Sequence, residues 1–162
     1  MNVLYTAEQR RRRDASGWTT VQGVLAPLQF LVFLVSLGLV ARYLATGEGW
    51  FAATASIVVK TGVLYLIMLT GSIWEREVFG VWLFAPAFYW EDVVSIGVLV
   101  LHTAYLILLS VGTPDPRAPM WIALAAYLAY VVNAIQFLRK LRAARLGPDS
   151  GPAHAIGLEP AR

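Results

Sequence analysis

The chain has no cysteine, which removes disulfides, thiolate metal sites and cysteine nucleophiles and leaves the redox compartment open. Charge is scarce too: 14% of the 162 residues are Asp, Glu, Lys or Arg, against about a quarter in an ordinary soluble domain. There is no Walker loop, no GxGxxG, no HExxH, no GxSxG and no pair of histidines at ligand spacing, so nucleotide, zinc-peptidase and serine-hydrolase chemistries have no motif to stand on. A single histidine inside the apolar runs, His102, cannot by itself ligate a haem through two histidines.

What is abundant is apolar surface. Hydrophobic residues make up 58% of the chain, and the mean hydropathy is +0.62. A net charge of +3 would suit nucleic acid, but the basic residues flank the apolar runs, where anionic lipid headgroups are the simpler partner. Nucleic acid is therefore discounted. Arg10 to Arg13, with Glu8 and Asp14, precede an apolar run far longer than that of a signal peptide, so a retained first helix is expected rather than a cleaved leader.

Four runs are long enough for the roughly 20 residues that cross a hydrocarbon core: about 21–44, 51–74, 91–111 and 120–138. The expected fold is an all-α membrane protein, a bundle of four transmembrane helices spanning 1–146, with a disordered C-terminal tail over 147–162. Pro27 in the first span is tolerable in a membrane helix. Between the second and third spans, Glu75 to Tyr89 is apolar, aromatic and broken by Gly80 and Pro86, and it is expected to lie at headgroup level. Thr6 to Gln9 has the form of a capping box, so a short surface helix carrying the arginines should start there. Arg10 to Arg13, Arg76, Arg139, Lys140, Arg142 and Arg145 fall at one set of span ends, and Arg42 and Arg117 at the other. The positive-inside rule then puts both termini and the aromatic connection in the cytoplasm, and the protein in the bacterial inner membrane, cytoplasmic or intracytoplasmic.

Polar groups at membrane depth are expensive and often mark function. In the first span Gln22, Gln29, Ser36 and Tyr43 recur every seven residues, within about 60° of one face, as expected for contacts between helices. Lys60 sits near mid-depth in the second span and requires a carboxylate or an anionic ligand, unless it snorkels to the interface. Glu91 and His102 are eleven residues apart and therefore within about 20° on the third helix. His102 suits an axial metal ligand or a proton carrier, or else a neutral core histidine; Glu91 and Asp92 either do chemistry or merely begin the helix. Tyr127, Tyr130, Asn133 and Gln136 form an arc on the fourth span that reads as packing.

The stretches LYTAEQRRRRDA (4–15), QGVLAPLQFLVFLVSLGLVARYLATGEG (22–49), VVKT (58–61), WEREVFGVWLFAPAFYWEDV (74–93) and AAYLAYVVNAIQFLRKLRAARL (125–146) together resemble the 3-vinyl (bacterio)chlorophyllide hydratase family of purple phototrophic bacteria. The resemblance implies an enzyme, a hydro-lyase of bacteriochlorophyll synthesis that adds water across the vinyl group of a chlorophyllide to give a 1-hydroxyethyl group. The implied partners are the pigment, the lipid membrane and other enzymes of that synthesis. No added cofactor is implied, because magnesium belongs to the substrate.

Such a hydration needs an acid, a placed water and a base. Glu75, Glu91 and Asp92, expected to converge at the cytoplasmic ends of the second and third spans, are the candidates, with Glu91 favoured. His102 is the candidate axial ligand to the substrate's magnesium. Lys60 or Arg76 would meet its propionate, and Trp90 with the aromatic connection would stack on the ring. The expected pigment cleft lies between the second and third spans, open toward the cytoplasmic leaflet. The competing classes are a pigment-binding or assembly subunit without catalysis and a small transporter with Lys60 and Glu91 along its path.

Overall fold

Thr6 starts the first helix as the sequence predicts. Its hydroxyl accepts from the Gln9 backbone at 3.2 Å, and the Gln9 side chain accepts from the Thr6 backbone at 2.9 Å. This computed structural model describes residues 4–145, and the expected tail over 147–162 lies outside them. The helix, α1 (Ala7–Ala15), carries the arginines. Arg11 and Arg12 close onto Glu8 and hold its carboxyl below the usual carboxylate range. Ser16 ends α1 and at once caps the next helix, its hydroxyl accepting from the Trp18 backbone at 3.2 Å.

Four long helices follow: α2 (Gly17–Thr46), α3 (Trp50–Phe79), α4 (Tyr89–Val111) and α5 (Ala118–Arg145). All four contain stretches long and apolar enough to cross a membrane. No strand occurs among the described residues. The helices are longer than the apolar runs. α3 continues five residues past Trp74 because Glu75, Arg76 and Glu77 are sound helix formers and the first breaker is Gly80, which ends the helix at φ +83°. α5 likewise continues through LRKLRAAR to Arg145. At 30 residues, α2 and α3 are each about 45 Å long, more than the roughly 30 Å hydrocarbon core, so their ends reach headgroup level or the helices tilt.

The chain runs up and down, α2 packing mainly on α3 and α4 mainly on α5. The α2–α3 turn is tight, and Gly47 and Gly49 supply its left-handed residues at φ +76° and +84°. The bundle is apolar outside and partly polar inside. Val35, Leu69 and Leu128 are 64–70% exposed, whereas Gln29, Ser36, Lys60, Thr61, Ser95 and His102 are buried. Water would punish that arrangement and lipid rewards it, so this is a multi-pass membrane protein.

Small residues let the helices approach: Ala53, Ala123 and Ala126 are fully buried. Hydroxyls then bridge them. Ser36 on α2 bonds both Ser56 on α3 and Tyr127 on α5. Gln22 donates to Thr70 at 2.8 Å, and Tyr65 and Thr103 join α3 to α4 at 2.6 Å. Gln29 is buried on the same stripe without a hydrogen-bond partner among the described residues. A second, aromatic cluster of Tyr5, Val78 and Phe88, backed by Trp74, Phe79 and Phe137, ties the start of the chain to one end of the bundle.

Candidate active site

That same end gathers the three carboxyls. Glu75 lies in the last turns of α3, while Glu91 and Asp92 open α4, and all three are at least 94% buried. What brings them together is the loop 80–88, whose ends bond to backbone at Gly80 and Phe88 and whose middle bonds to side chains. Asp92 Oδ2 accepts from the Phe84 backbone at 2.8 Å, and Glu75 Oε2 accepts from the Ala85 backbone at 3.1 Å. The Glu75 and Asp92 carboxyl groups also contact each other. Phe84 is held at φ +61°, the left-handed region that costs a branched or bulky residue about 1–2 kcal/mol.

Glu91 is held from the adjacent helix, α5. Its Oε2 accepts from Lys140 of α5, whose ammonium also donates to the Ala87 carbonyl and lies 4.9 Å above the Phe88 ring. The Glu91 carbonyl accepts from Asn133 Nδ2 at 2.9 Å, and Ser95 donates to Asn133 Oδ1 at 3.2 Å. Each carboxyl therefore has one oxygen tied, directly or through Lys140, to the stretch Phe84–Ala87. Such anchoring serves loop structure, and it equally fixes three acid–base groups in one place.

Around this cluster the surface is aromatic. Trp82, Phe84, Tyr89 and Trp90 are 43–68% exposed. Tyr89 stands edge-on to Trp90 at 5.5 Å and tilted against Phe84 at 5.7 Å. The exposed Arg76 guanidinium lies 4.3 Å above the Trp82 ring. Carboxyls, cation and flat apolar faces thus share one end of the molecule.

Lys60 and His102 form a separate site. Eleven residues of helix put His102 about 16 Å along α4 from Glu91. Lys60 is fully buried, and instead of a carboxylate it meets His102 Nε2 at 3.2 Å, with the Tyr130 ring 4.2 Å away. His102 Nδ1 donates to the Val98 carbonyl at 2.8 Å, which leaves the Nε2 lone pair to the lysine. Lys60 does not snorkel, and both ring nitrogens of His102 are occupied. No group of three or more His, Cys, Asp or Glu that could hold a metal occurs among the described residues.

A half-open cavity of about 370 Å³ lies between the helix pairs at the other end, lined by Tyr43, Trp50, Tyr105 and Met120 among others. The cleft expected from the sequence, between the second and third spans at the carboxylate end, is not this cavity. Lys140 and Asn133, which the sequence reads as an orienting charge and a packing residue, both contact Glu91. In the sequence Lys140 is one charge in a basic run beside a span, and only packing turns it inward.

The chain is thus a four-span membrane protein that gathers buried carboxyls beneath an aromatic, cationic rim at one end. The comparisons give that class a particular family. The model of the family described as 2-vinyl bacteriochlorophyllide hydratase matches residues 5–143, and the chain belongs to that family. It is similar to the 2-vinyl bacteriochlorophyllide hydratase of Cereibacter sphaeroides, 68% identical over 91% of this chain and 91% of the relative. The protein of that name from Rhodobacter capsulatus is 62% identical over 97% of this chain and 91% of its own length. No solved structure matches.

Proposed function

We propose that this protein adds water to the vinyl group of a bacteriochlorophyllide or chlorophyllide, giving a 1-hydroxyethyl substituent. The locant of that vinyl group differs with the ring-numbering scheme. Family membership across nearly the whole chain supports the reaction. The convergence of Glu75, Glu91 and Asp92 beside the aromatic rim carries the assignment of the site.

The chemistry follows from the alkene. A proton adds to the terminal CH₂ carbon, and positive charge develops on the carbon attached to the macrocycle, whose conjugation spreads it. Water attacks that carbon, and a base takes the proton the water loses. One hydrogen and one hydroxyl are gained with no net oxidation or reduction, so no added cofactor is proposed and magnesium enters only as part of the substrate. Two carboxyls in contact, Glu75 and Asp92, offer an acid and a base side by side. Glu91, with Oε1 taking no hydrogen bond from a described residue, faces the reacting water. Nearby carboxylates also favour the developing cation electrostatically.

Trp90 and the neighbouring rings offer faces on which the macrocycle stacks. Arg76 is the proposed partner of its propionate, because the guanidinium is exposed at the rim whereas Lys60 is sealed in the bundle. His102 reaches the substrate's magnesium as an axial ligand only by giving up Lys60. The basic residues around the carboxylate end favour a cytoplasmic placement of that end in a bacterial inner membrane, where enzymes that supply and take the pigment would meet it.

Purified protein incubated with vinyl chlorophyllide and vinyl bacteriochlorophyllide should yield a more polar pigment heavier by one water. Pigment that is bound and returned unchanged would leave a carrier or assembly subunit instead.

A further inference from the structure

The basic run after the fourth span does more than anchor to headgroups. Arg139 and Arg142 point outward, whereas the side chain of Lys140 is only 23% exposed and turns toward α4. Its ammonium has three protons to donate. One goes to Glu91 Oε2 and one to the Ala87 carbonyl. Asn133, seven residues earlier and so within about 20° on the same helix face, holds the Glu91 carbonyl. α5 therefore grips the entry of α4 at two points on one stripe, by the backbone and by the carboxylate of the same residue.

We infer that Lys140 is the positioning residue for Glu91, an inference that rests on the acid–base reading above. By tying Oε2 it directs Oε1 to the reacting water. Through Ala87 it fixes Glu91 relative to Glu75 and Asp92, which hang from Ala85 and Phe84, two and three residues earlier. The ammonium lies over Phe88, on the inner side of the loop rather than among the exposed rings, so it acts on pigment only through the carboxylate.

The test uses the full chain with Lys140→Met, Lys140→Arg, Glu91→Gln and the double variant Lys140→Met/Glu91→Gln, comparing kcat, KM for vinyl pigment, and pigment binding by absorption. A misplacement near 1 Å can cost about a hundredfold in rate. Lys140→Met should lower kcat by about ten- to a hundredfold while KM and the bound spectrum stay within about twofold, and Lys140→Arg should recover most of the loss. The double variant should turn over no more slowly than Glu91→Gln alone, because residues that act as a unit are not additive. Should Lys140→Met fail to fold, the double variant, which leaves no charge unpaired, decides by that same comparison with Glu91→Gln. Normal kcat in Lys140→Met, a rise in KM with kcat intact, or losses that multiply in the double variant would overturn the inference alone. Full turnover in Glu91→Gln would instead overturn the acid–base reading beneath it.

Discussion

Replacing Glu91 by Gln keeps the shape of the side chain and an oxygen to accept from Lys140, but removes the ability to exchange a proton. Pigment binding should survive, and turnover should fall by about 10²- to 10⁴-fold, the usual worth of a general acid or base. Glu75→Gln and Asp92→Asn are matched comparisons, since an amide oxygen still accepts from Ala85 or Phe84. A carboxyl that only secures the loop will leave turnover per folded molecule unchanged, and normal rates in all three would put the chemistry elsewhere. The three carboxyls were legible in the sequence because Glu75 closes one apolar run and Glu91-Asp92 opens the next. Their anchoring by Phe84, Ala85 and Lys140 was not, because it depends on where a loop folds back. Lys60 and His102 could be matched in depth by counting residues, but the sequence could not show that each meets the other. That contact makes a prediction opposite to a metal-ligand role. His102→Leu strands a buried ammonium and should cost about 2 kcal/mol or more, read as a lower midpoint of thermal unfolding, and Lys60→Met added to it should restore most of the loss. A bound-pigment spectrum unchanged by His102→Leu would place the pair in the packing; loss of an axial-ligation shift would place it in the substrate site.

At the scale of elements, periodicity and length found the helices, and capping chemistry found α1. Apolar runs mark the lengths that can cross the membrane, and helices continue past two of them, because hydropathy stops where charge begins whereas helix propensity does not: α3 runs through Glu75-Arg76-Glu77 to Phe79, and α5 through its basic run. The loop 80–88 was legible as aromatic and interfacial, but its left-handed turn at Phe84 was hidden, since nothing local in LFAP demands positive φ. The conformation is held from outside by Asp92 accepting the Phe84 N–H. Sparsely populated backbone states kept in place by a surrounding site often belong to function. Phe84→Gly separates the backbone from the ring: it relieves about 1–2 kcal/mol of left-handed strain and should leave the thermal midpoint equal or higher. If the ring is part of the pigment platform, KM should rise severalfold with kcat little changed. An unchanged KM would confine the platform to Trp82, Tyr89 and Trp90.

For the molecule as a whole, four spans place the start of α2 and the end of α5 on one side, and the contacts agree. Thr19 meets Trp74 at 2.9 Å, and Lys140 meets the entry of α4, so α2, α3, α4 and α5 all bring their carboxylate-end termini together. Arg10 to Arg13, Arg76, Arg139, Lys140 and Arg142 belong to that end, and Arg42 and Arg117 to the other. Lys and Arg near span ends set orientation because they are retained on the cytoplasmic side during insertion. Lys140, spent on an internal pair, and Arg76, stacked on Trp82, still count, because insertion reads the chain before the bundle closes. Reporter fusions placed after Arg145 should therefore be active as cytoplasmic markers, and fusions within Thr46 to Trp50 or Thr113 to Arg117 as periplasmic ones. Reversing the bias tests the cause: neutralising Arg10 to Arg13 while adding lysines in the 113–117 turn should produce a mixed or inverted population. A periplasmic C-terminus in the unaltered chain would move the carboxyl site to the opposite face of the membrane, and with it the compartment from which the pigment and its water must come.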